Sequence, residues 1–322
     1  MLLRFLSLAL IPAALGSASP APLAFPSGAS YLTPDGEIRI VGYNDMQGMF
    51  EAVDALFVAQ HPEFRFALAL TGTKSAAAAL AQGRSALAPM GAEFYEADIT
   101  AYRAAFGSYP LELRVAHDSL APEALSSPVA IFVPAGNPLD QLTLAQVERI
   151  FTVSTAAPPV ATWGELGLKG EWADRPLHVY GLALDTALGY FMQKHAFGGR
   201  PYRADVRMNG RSGGVVKLVS ADPLSIGLST LSNRTAAVKT VGLVSAPGEA
   251  PHRGTAADIV SGAYPYDRFL LIYLRQPVEP WIAAYLHLWL SPAGQRAMAA
   301  HSPGYLPLNA AEVAAEVAKL DR

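Results

Sequence analysis

The sequence predicts an α/β protein with about two compact units. Its 322 residues exceed the usual length of one domain. With 51% hydrophobic and 16% charged residues, the chain has enough apolar side chains for buried cores, unlike a disordered chain. Near its start, two segments in succession have the pattern of a strand, a loop and a helix, which favours a parallel sheet.

The first of these units begins at Glu37. Residues 37–41 form a short apolar strand that ends at Gly42. Apolar residues then recur at helical spacing, which predicts a helix that ends near His61 and Pro62. The residues with this spacing are Met46, Met49, Phe50, Val53, Leu56 and Phe57.

The second unit has a strand at residues 64–70, a polar loop at 71–75 and a helix-forming run at 76–82. Further along, the patterns predict strands at 129–133, 178–181 and 269–274, and helices at 143–151, 215–220 and 281–290. The last helix is amphipathic, so we expect its aromatic side to face a core.

The first 18 residues have the layout of a secretory signal peptide. Arg4 precedes an apolar run from Phe5 to Gly16, and the small residues Gly16 and Ala18 suit a cleavage site. We expect cleavage after Ala18, a periplasmic or secreted protein, and a flexible arm over residues 19–35. No later stretch reaches 18 uncharged apolar residues, so we expect no membrane-spanning segment.

Composition excludes several classes of function. The 24 Lys and Arg residues against 27 Asp and Glu give a net charge of −3, so a nucleic-acid partner is not expected. The absence of cysteine excludes disulfides, thiolate metal sites, cysteine nucleophiles and a lipid-modified cysteine anchor. The seven histidines lack the H-x-x-x-H and H-E-x-x-H spacings, so we expect no metal site and no cofactor.

Several segments, in a fixed order, resemble the PstS-like phosphate-binding proteins. The resemblance extends from about Ile38 to Leu308, and the order of the segments makes it specific. The segments are residues 128–133 (PVAIFV), 137–139 (NPL), 142–147 (LTLAQV), 150–151 (IF), 162–167 (TWGELG), 221–223 (ADP), 226–227 (IG), 291–295 (SPAGQ) and 304–308 (GYLPL).

The resemblance implies a type II periplasmic-binding-protein fold, in which two α/β lobes joined by a two-strand hinge hold a ligand between them. It places residues 36–127 and 264–322 in the first lobe and residues 128–263 in the second. It also implies an extracytoplasmic solute-binding protein rather than an enzyme. Such a protein binds phosphate or a related small oxyanion and can serve an ABC permease. We expect a monomer.

The resemblance also indicates where the anion would bind. In the first loop, Asn44 and Asp45 stand where the family has a hydroxyl donor, although one of them could instead cap the next helix. In the second loop, Thr73, Lys74 and Ser75 keep the hydroxyls and add a cation that could face an anion. We expect this second loop to contribute most of the affinity.

The other two elements depart from the family pattern. Gly91 stands where Ser is common and leaves only a backbone N–H, and Leu182 stands where Arg is usual. Thr186 keeps a hydroxyl. Arg211 and Ser212 could supply replacement donors, with a solvent-facing Arg211 as the alternative. Because three of the four expected contacts change unfavourably, we expect phosphate itself to bind poorly or not at all.

Other functions remain open at this point. One alternative is a PstS-like protein with a degenerate phosphate site that acts as a sensor or binds a different ligand or partner. A remote alternative is a serine hydrolase, because residues 210–214 match G-x-S-x-G around Ser212 with Asp258 and His287 or His301 downstream. A P-loop ending at Ser75 is not supported, since Leu68 occupies its first glycine position.

Two further residues have both a structural and a functional interpretation. His117 lies in the polar cluster His117-Asp118-Ser119 near the predicted lobe boundary. It could contact a ligand, but a lone histidine is more often a hydrogen-bonded structural residue. Trp163 belongs to the packing pattern of the family, so we expect it in the core rather than stacked on a ligand.

Overall fold

The computed structural model describes residues 23–153 and 158–322. The predicted signal segment, residues 1–18, lies outside the described residues. The helices are α1 (Gln47–Val58), α2 (Thr73–Ala81), α3 (Glu96–Phe106), α4 (Leu144–Phe151), α5 (Ala187–Phe191), α6 (Ser212–Ala221), α7 (Ala256–Val260), α8 (Pro280–Leu290), α9 (Pro292–Ala300) and α10 (Ala310–Leu320).

The strands alternate with these helices along most of the chain. They are β1 (Ile38–Val41), β2 (Phe66–Ala69), β3 (Ala88–Met90), β4 (Leu111–Ser119), β5 (Val129–Pro134), β6 (Gln141–Thr143), β7 (His178–Leu182), β8 (Arg207–Asn209), β9 (Ser225–Thr230), β10 (Val238–Thr240), β11 (Gly242–Val244), β12 (Phe269–Leu274) and β13 (Tyr305–Leu306).

One core, which we call the first lobe, takes residues from both ends of the described chain. A four-stranded sheet runs in the order β13-β4-β12-β3, and β1 pairs with β2 in parallel. Helices α1, α8 and α9 cover one face with large buried side chains such as Phe50, Trp281 and Trp289. Helices α2 and α3 cover the other face of β12, where Leu271 and Tyr273 are buried.

A second core, the second lobe, forms around a five-stranded sheet in the order β10-β5-β9-β7-β8. The buried strand Val129–Pro134 pairs antiparallel with β9, whereas β7 is parallel to both β8 and β9. Trp163 is fully buried in this core, as predicted. Helix α6 packs Val215 and Val219 onto the sheet.

Two neighbouring chain segments connect the lobes. The chain leaves the first lobe after β4 and returns to it before β12. The segments are tied together by backbone hydrogen bonds, from Asp118 N to the Arg268 carbonyl at 2.8 Å and from Val129 N to the Tyr266 carbonyl at 3.0 Å. The two lobes are therefore joined along a narrow double crossing, next to the cleft between them.

The predicted strands and helices are confirmed, with shifts of a few residues at their ends. The parallel pairing expected of the first two units is confirmed, since β1 pairs with β2 in parallel, whereas β12 is antiparallel to both β3 and β4. The reason is topological: β4 runs towards the crossing and β12 runs back from it. Aromatic residues 281, 285 and 289 of α8 face the core as expected.

The part of the predicted flexible arm that the structure describes, residues 23–35, is packed against the first lobe. Tyr31 is fully buried, and its hydroxyl donates to Glu279 Oε2 at 2.6 Å and accepts from Trp281 Nε1 at 3.0 Å. Phe25 packs edge-on against Phe64, with ring centroids 5.5 Å apart. Burial of these aromatic rings holds the segment in place, although its Pro, Ser, Ala and Gly content favours a flexible chain.

Candidate functional site

A cavity of about 220 Å³ lies between the two lobes, and we call it the cleft chamber. Residues of both lobes line it, as a ligand that holds two lobes together requires. Arg268, from the returning crossing segment, belongs to the same wall. The lining residues are Tyr43, Thr73, Gly91, Ala92, Leu125, Ser126, Thr186, Ala187, Leu188 and Arg268.

A second cavity of about 270 Å³, the side chamber, adjoins the first. Ala92, Ala187 and Arg268 line both chambers. The floor of the side chamber is one face of the β4–β12 sheet, and its roof is the helical segment that begins with α5. The remaining lining residues are Glu93, Glu112, Arg114, Tyr190, Phe191, Lys194, His195, Pro265, Asp267, Phe269 and Leu271.

The N-termini of two helices meet at the cleft chamber. Thr73 is the first residue of α2, after Gly72 with a φ of 131°, and Ala187 is the first residue of α5. Helix α5 continues without a break into a π-helical turn at Met192–Ala196. The first N–H groups of a helix lack intrahelical acceptors, so both lobes direct donors towards this cavity.

Arg268 is the buried cation of the cleft. Its Nη1 donates to Asp118 Oδ2 and to Ser126 Oγ, both at 3.0 Å, and its Nη2 donates to the Gly91 carbonyl at 2.9 Å. Burial raises the pKa of the fully buried Asp118 carboxyl to about 6, although the Arg268 charge acts in the opposite direction. The pair thus fixes the crossing segment against the loop after β3.

Three of the residues predicted from sequence lie in the cleft chamber: Thr73, Gly91 and Thr186. Thr186 caps α5, where its Oγ1 accepts from Gly189 N at 3.1 Å and donates to the Ala183 carbonyl at 2.6 Å. Its hydroxyl proton is therefore already used within the protein.

The rest of the second loop contributes less than expected. Lys74 is exposed and is not among the residues that line either chamber. The Ser75 hydroxyl donates to the Gly72 carbonyl at 2.7 Å and so closes the first turn of α2. Of the loop residues Thr73, Lys74 and Ser75, only Thr73 lines the cavity.

The first-loop residues neither cap the next helix nor present a carboxylate to the cleft chamber. Asp45 Oδ2 accepts from Leu125 N at 2.8 Å and from the Tyr305 hydroxyl at 2.7 Å. Asn44 is exposed, and α1 begins after Met46 without a side-chain cap. The predicted cap is therefore wrong, because a short 3₁₀ turn precedes α1 and directs Asp45 across to the crossing segment.

Arg211 and Ser212 do not join the other candidates. Arg211 is exposed before α6, and Ser212 Oγ accepts from Asn233 Nδ2 at 2.9 Å. Neither is among the residues that line the two chambers. Leu182, at the position where the family has Arg, is buried in the core of the second lobe.

The hydrolase alternative lacks its triad. Asp258 Oδ1 is hydrogen-bonded to His252 at 2.9 Å, and His287 Nε2 lies 3.1 Å from Asp321. His301 Nδ1 bonds to the carbonyl of Ala297. Asp258, His287 and His301 each pair with a residue other than Ser212. The structure therefore does not bring a nucleophile and a base together.

His117 has the structural role that the sequence left open. Its ring is fully buried, with Nδ1 2.6 Å from Asp267 Oδ2 and Nε2 2.9 Å from Glu312 Oε2. Burial alone would lower the pKa of His117, but the hydrogen bonds and negative charges of Asp267 and Glu312 together outweigh it and raise the pKa. His117 therefore positions Asp267, which lines the side chamber.

The charged residues of the side chamber were missed by sequence reasoning. Glu93, in the loop after β3 of the first lobe, lies 2.5 Å from Lys194 Nζ of the second lobe and contacts His195 Nε2. Burial would raise the pKa of Glu93, but its hydrogen bonds with His195 and Lys194 lower it to about 2. The Glu93–Lys194 ion pair and the Glu93–His195 contact tie the lobes together beside the cleft.

We expect Glu93→Gln to loosen the contact between the lobes. The side chains of both partners, Lys194 and His195, are nearly half exposed, at 49% and 44%, so we expect a modest loss of about 0.2–1 kcal/mol. Small-angle X-ray scattering of the ligand-free protein should give a larger radius of gyration for the variant. Glu96→Gln, an exposed glutamate of α3, is the control, and an equal radius in all three proteins would contradict the proposed contact.

The pH dependence of this contact has a definite sign. Because the Glu93 pKa is lowered in the folded state, its contribution is present above the ordinary pKa of 4.5 and is lost as the pH falls towards 2. The same scattering measurement between pH 5 and pH 3 should therefore show wild type approaching the radius of the Gln variant.

Within residues 23–153 and 158–322, no group of His, Asp and Glu side chains could hold a metal ion. In the same residues, no helix is long and apolar enough to cross a membrane.

Comparison with known proteins agrees with this architecture. The family model described as a PBP superfamily domain matches residues 27–293. The phosphate-binding protein PstS of Pseudomonas aeruginosa is 30% identical over 315 residues, which cover 94% of each chain. An ABC-type phosphate transport receptor from Vibrio cholerae has 16% identity and a TM-score of 0.55, covering 84% of this chain and 99% of its own.

A phosphate ABC transporter substrate-binding protein from Clostridium perfringens, with bound phosphate, has 18% identity and a TM-score of 0.51. It covers 85% of this chain and 100% of its own length. These structures share the two-lobe fold, and the curated relative is a binding protein rather than an enzyme. The chain therefore belongs to the PBP superfamily, and within it to the family of the PstS proteins.

Proposed function

We propose that this protein is an extracytoplasmic solute-binding protein that holds a small oxyanion in the cleft chamber and delivers it to an ABC permease. The names of its relatives support this role, since they are phosphate-binding proteins and a phosphate transport receptor. The proposal includes export through the signal segment at residues 1–18, a monomeric state, and lobes bounded as the sequence analysis expects.

The observation that carries the proposal is the meeting of two helix N-termini, one from each lobe, at one cavity. Thr73 and Ala187 both line the cleft chamber. The N–H groups of a first turn and the positive end of the helix dipole attract an anion. An anion bound there touches both lobes, so it stabilises the closed arrangement over an open one.

The site differs from one built on charged side chains. The Arg268 guanidinium is already paired with Asp118, and Gly91 provides no hydroxyl. The donors that this site offers to an anion are the backbone N–H groups at the two helix N-termini and the Thr73 hydroxyl. Because fewer charge-assisted bonds are available, we expect phosphate to bind more weakly than in a site with a bidentate arginine.

Isothermal titration calorimetry tests the proposal. The protein is unfolded and refolded to remove bound solute, then titrated with phosphate and sulfate near neutral pH. We expect saturable one-to-one binding of at least one of these anions. The absence of heat with every anion would contradict the proposal.

Thr73→Ala should weaken anion binding about tenfold. The variant removes a hydroxyl donor at the first turn of α2, and a hydrogen bond to a charged group contributes about 1.5 kcal/mol. Thr71→Ala is the matched control, because Thr71 is exposed and its hydroxyl lies 3.3 Å from that of Ser75. Equal affinities of the two variants, measured by calorimetry, would show that Thr73 does not contact the anion.

A further inference from the structure

We propose that the side chamber binds the organic part of the solute, and that the solute is the phosphate ester of a small polyol rather than inorganic phosphate. This inference rests on the proposed function, because it assumes that the phosphate group occupies the cleft chamber. It concerns the second cavity, which a bare oxyanion would leave empty.

The position and size of the side chamber support a larger solute. It shares Ala92, Ala187 and Arg268 with the cleft chamber, so a substituent on an anion held there can extend into it. Its volume of about 270 Å³ is roughly nine times the ~30 Å³ that one water occupies in the liquid. A chain of several carbon and oxygen atoms fits such a space.

The charges of the side chamber are balanced, which favours an uncharged substituent. Its three carboxylates are matched in number by three side chains with a permanent positive charge, and His195 also lines it. Glu93 is already paired with Lys194, and Arg268 with Asp118. A charged substituent would therefore unbalance the charge of the chamber and would lose its own hydration on entering. The carboxylates are Glu93, Glu112 and Asp267, and the permanent cations are Arg114, Lys194 and Arg268.

Two polar groups at the wall of the chamber have unused hydrogen-bonding capacity among the described residues. Asp267 is 7% exposed and bonds to His117 through Oδ2, whereas its Oδ1 has no hydrogen-bond partner among the residues that the structure describes. The Arg114 guanidinium lies over the Phe269 ring, 4.4 Å from the centroid. The chamber therefore offers an acceptor on one element and donors on the strand beside it.

Hydroxyl groups complement this pair of groups better than other substituents. A hydroxyl donates to a carboxylate and also accepts from a guanidinium, whereas an ammonium only donates and an alkyl chain does neither. Burial raises the pKa of the Asp267 carboxyl, and a hydroxyl can pair with either protonation state of that group. A polyol thus satisfies both the buried acceptor and the neighbouring donors.

Calorimetry with four probes tests the inference. The probes are inorganic phosphate, glycerol 3-phosphate, propyl phosphate and phosphoethanolamine, which differ in the substituent on the phosphate. We expect glycerol 3-phosphate to bind at least tenfold more tightly than each of the other three. Arg114→Met should weaken glycerol 3-phosphate about fivefold and leave inorganic phosphate unchanged.

The control and the outcomes separate this inference from the proposed function. Arg103→Met is the matched control. Arg103, a residue of α3, lies over the Tyr109 ring and does not line either chamber. If inorganic phosphate, propyl phosphate or phosphoethanolamine binds as tightly as glycerol 3-phosphate, the inference is wrong while the oxyanion function stands. If none of the four binds, the proposed function fails and the inference fails with it.

Discussion

Arg268→Met should destabilise the protein by about 3–5 kcal/mol, because it leaves the carboxylate of Asp118 buried without its cation. Asp118 is fully buried, and Arg268 Nη1 lies 3.0 Å from its Oδ2. The substitution also removes one bond that holds the loop after β3, to the Gly91 carbonyl, and one bond between the two crossing segments, to Ser126 Oγ. At about 2–4 °C per kcal/mol, the melting temperature should fall by about 10 °C.

The loss of stability should depend on pH with a definite sign. The Asp118 pKa is raised by burial to about 6, so the folded protein binds a proton that the unfolded chain releases between pH 4 and pH 6. Stability from this group is therefore highest at low pH and falls as the pH rises through about 6. Without Arg268 the pKa rises further, so the deficit of the variant should be larger at pH 8 than at pH 5.

Two controls distinguish this effect from a general loss of packing. Arg253→Met removes an ion pair with Asp140 at 2.6 Å in which both side chains are more than a third exposed, and it should cost less than about 1 kcal/mol. Adding Asp118→Leu to Arg268→Met should restore most of the stability, because an apolar pair can replace a buried ion pair. If the double variant melts as low as Arg268→Met alone, the unpaired carboxylate is not the cause.

Local sequence patterns predict much of the fold and less of the site. The helix Leu144–Phe151 follows from its apolar spacing and from Thr143, which caps it with Gln146 in a reciprocal pair. The position of β12 between β3 and β4 does not follow, because its residues pair with residues more than 150 positions earlier in the chain. Such pairing depends on the whole topology, which a local pattern does not contain.

The same distinction applies to the site. Thr73 and Thr186 could be found because each stands at the start of a helix in a family segment. Arg268 could not, since it is one charged residue before an apolar strand, and its partner Asp118 is 150 positions away. The sequence signal was the charged pair Asp267-Arg268 next to an apolar strand, and this pair points to a site only once the fold shows that both side chains are buried.

The loss of the hydroxyl at residue 91 has a physical reason that involves the first loop. A Cβ on Gly91 would lie 2.9 Å or less from three carbons of the Tyr43 ring. Tyr43 is 6% exposed, and its hydroxyl lies 3.5 Å from that of Tyr305. The large Tyr43 ring therefore fits only against a glycine at residue 91. A serine at residue 91, as in the family pattern, would also require a smaller side chain at residue 43.

Gly91→Ser should consequently destabilise the protein by about 1–3 kcal/mol, the usual cost of overpacking a filled site. Tyr43→Ala alone should cost about 3–5 kcal/mol, because it leaves a cavity. In the double variant the serine enters the space that the ring vacates. Its loss of stability should be smaller than the sum of the single losses by at least about 0.5 kcal/mol.

Thermal and urea unfolding of the four proteins measure this coupling. Gly136→Ser is the control, because a Cβ at residue 136 meets no atom within 4 Å, and its stability should stay within about 0.5 kcal/mol of wild type. Additive losses at residues 43 and 91 would mean that the Tyr43 ring moves aside at no cost. In that case Gly91→Ser would restore the family's hydroxyl to the cleft chamber, and its phosphate affinity should exceed that of wild type.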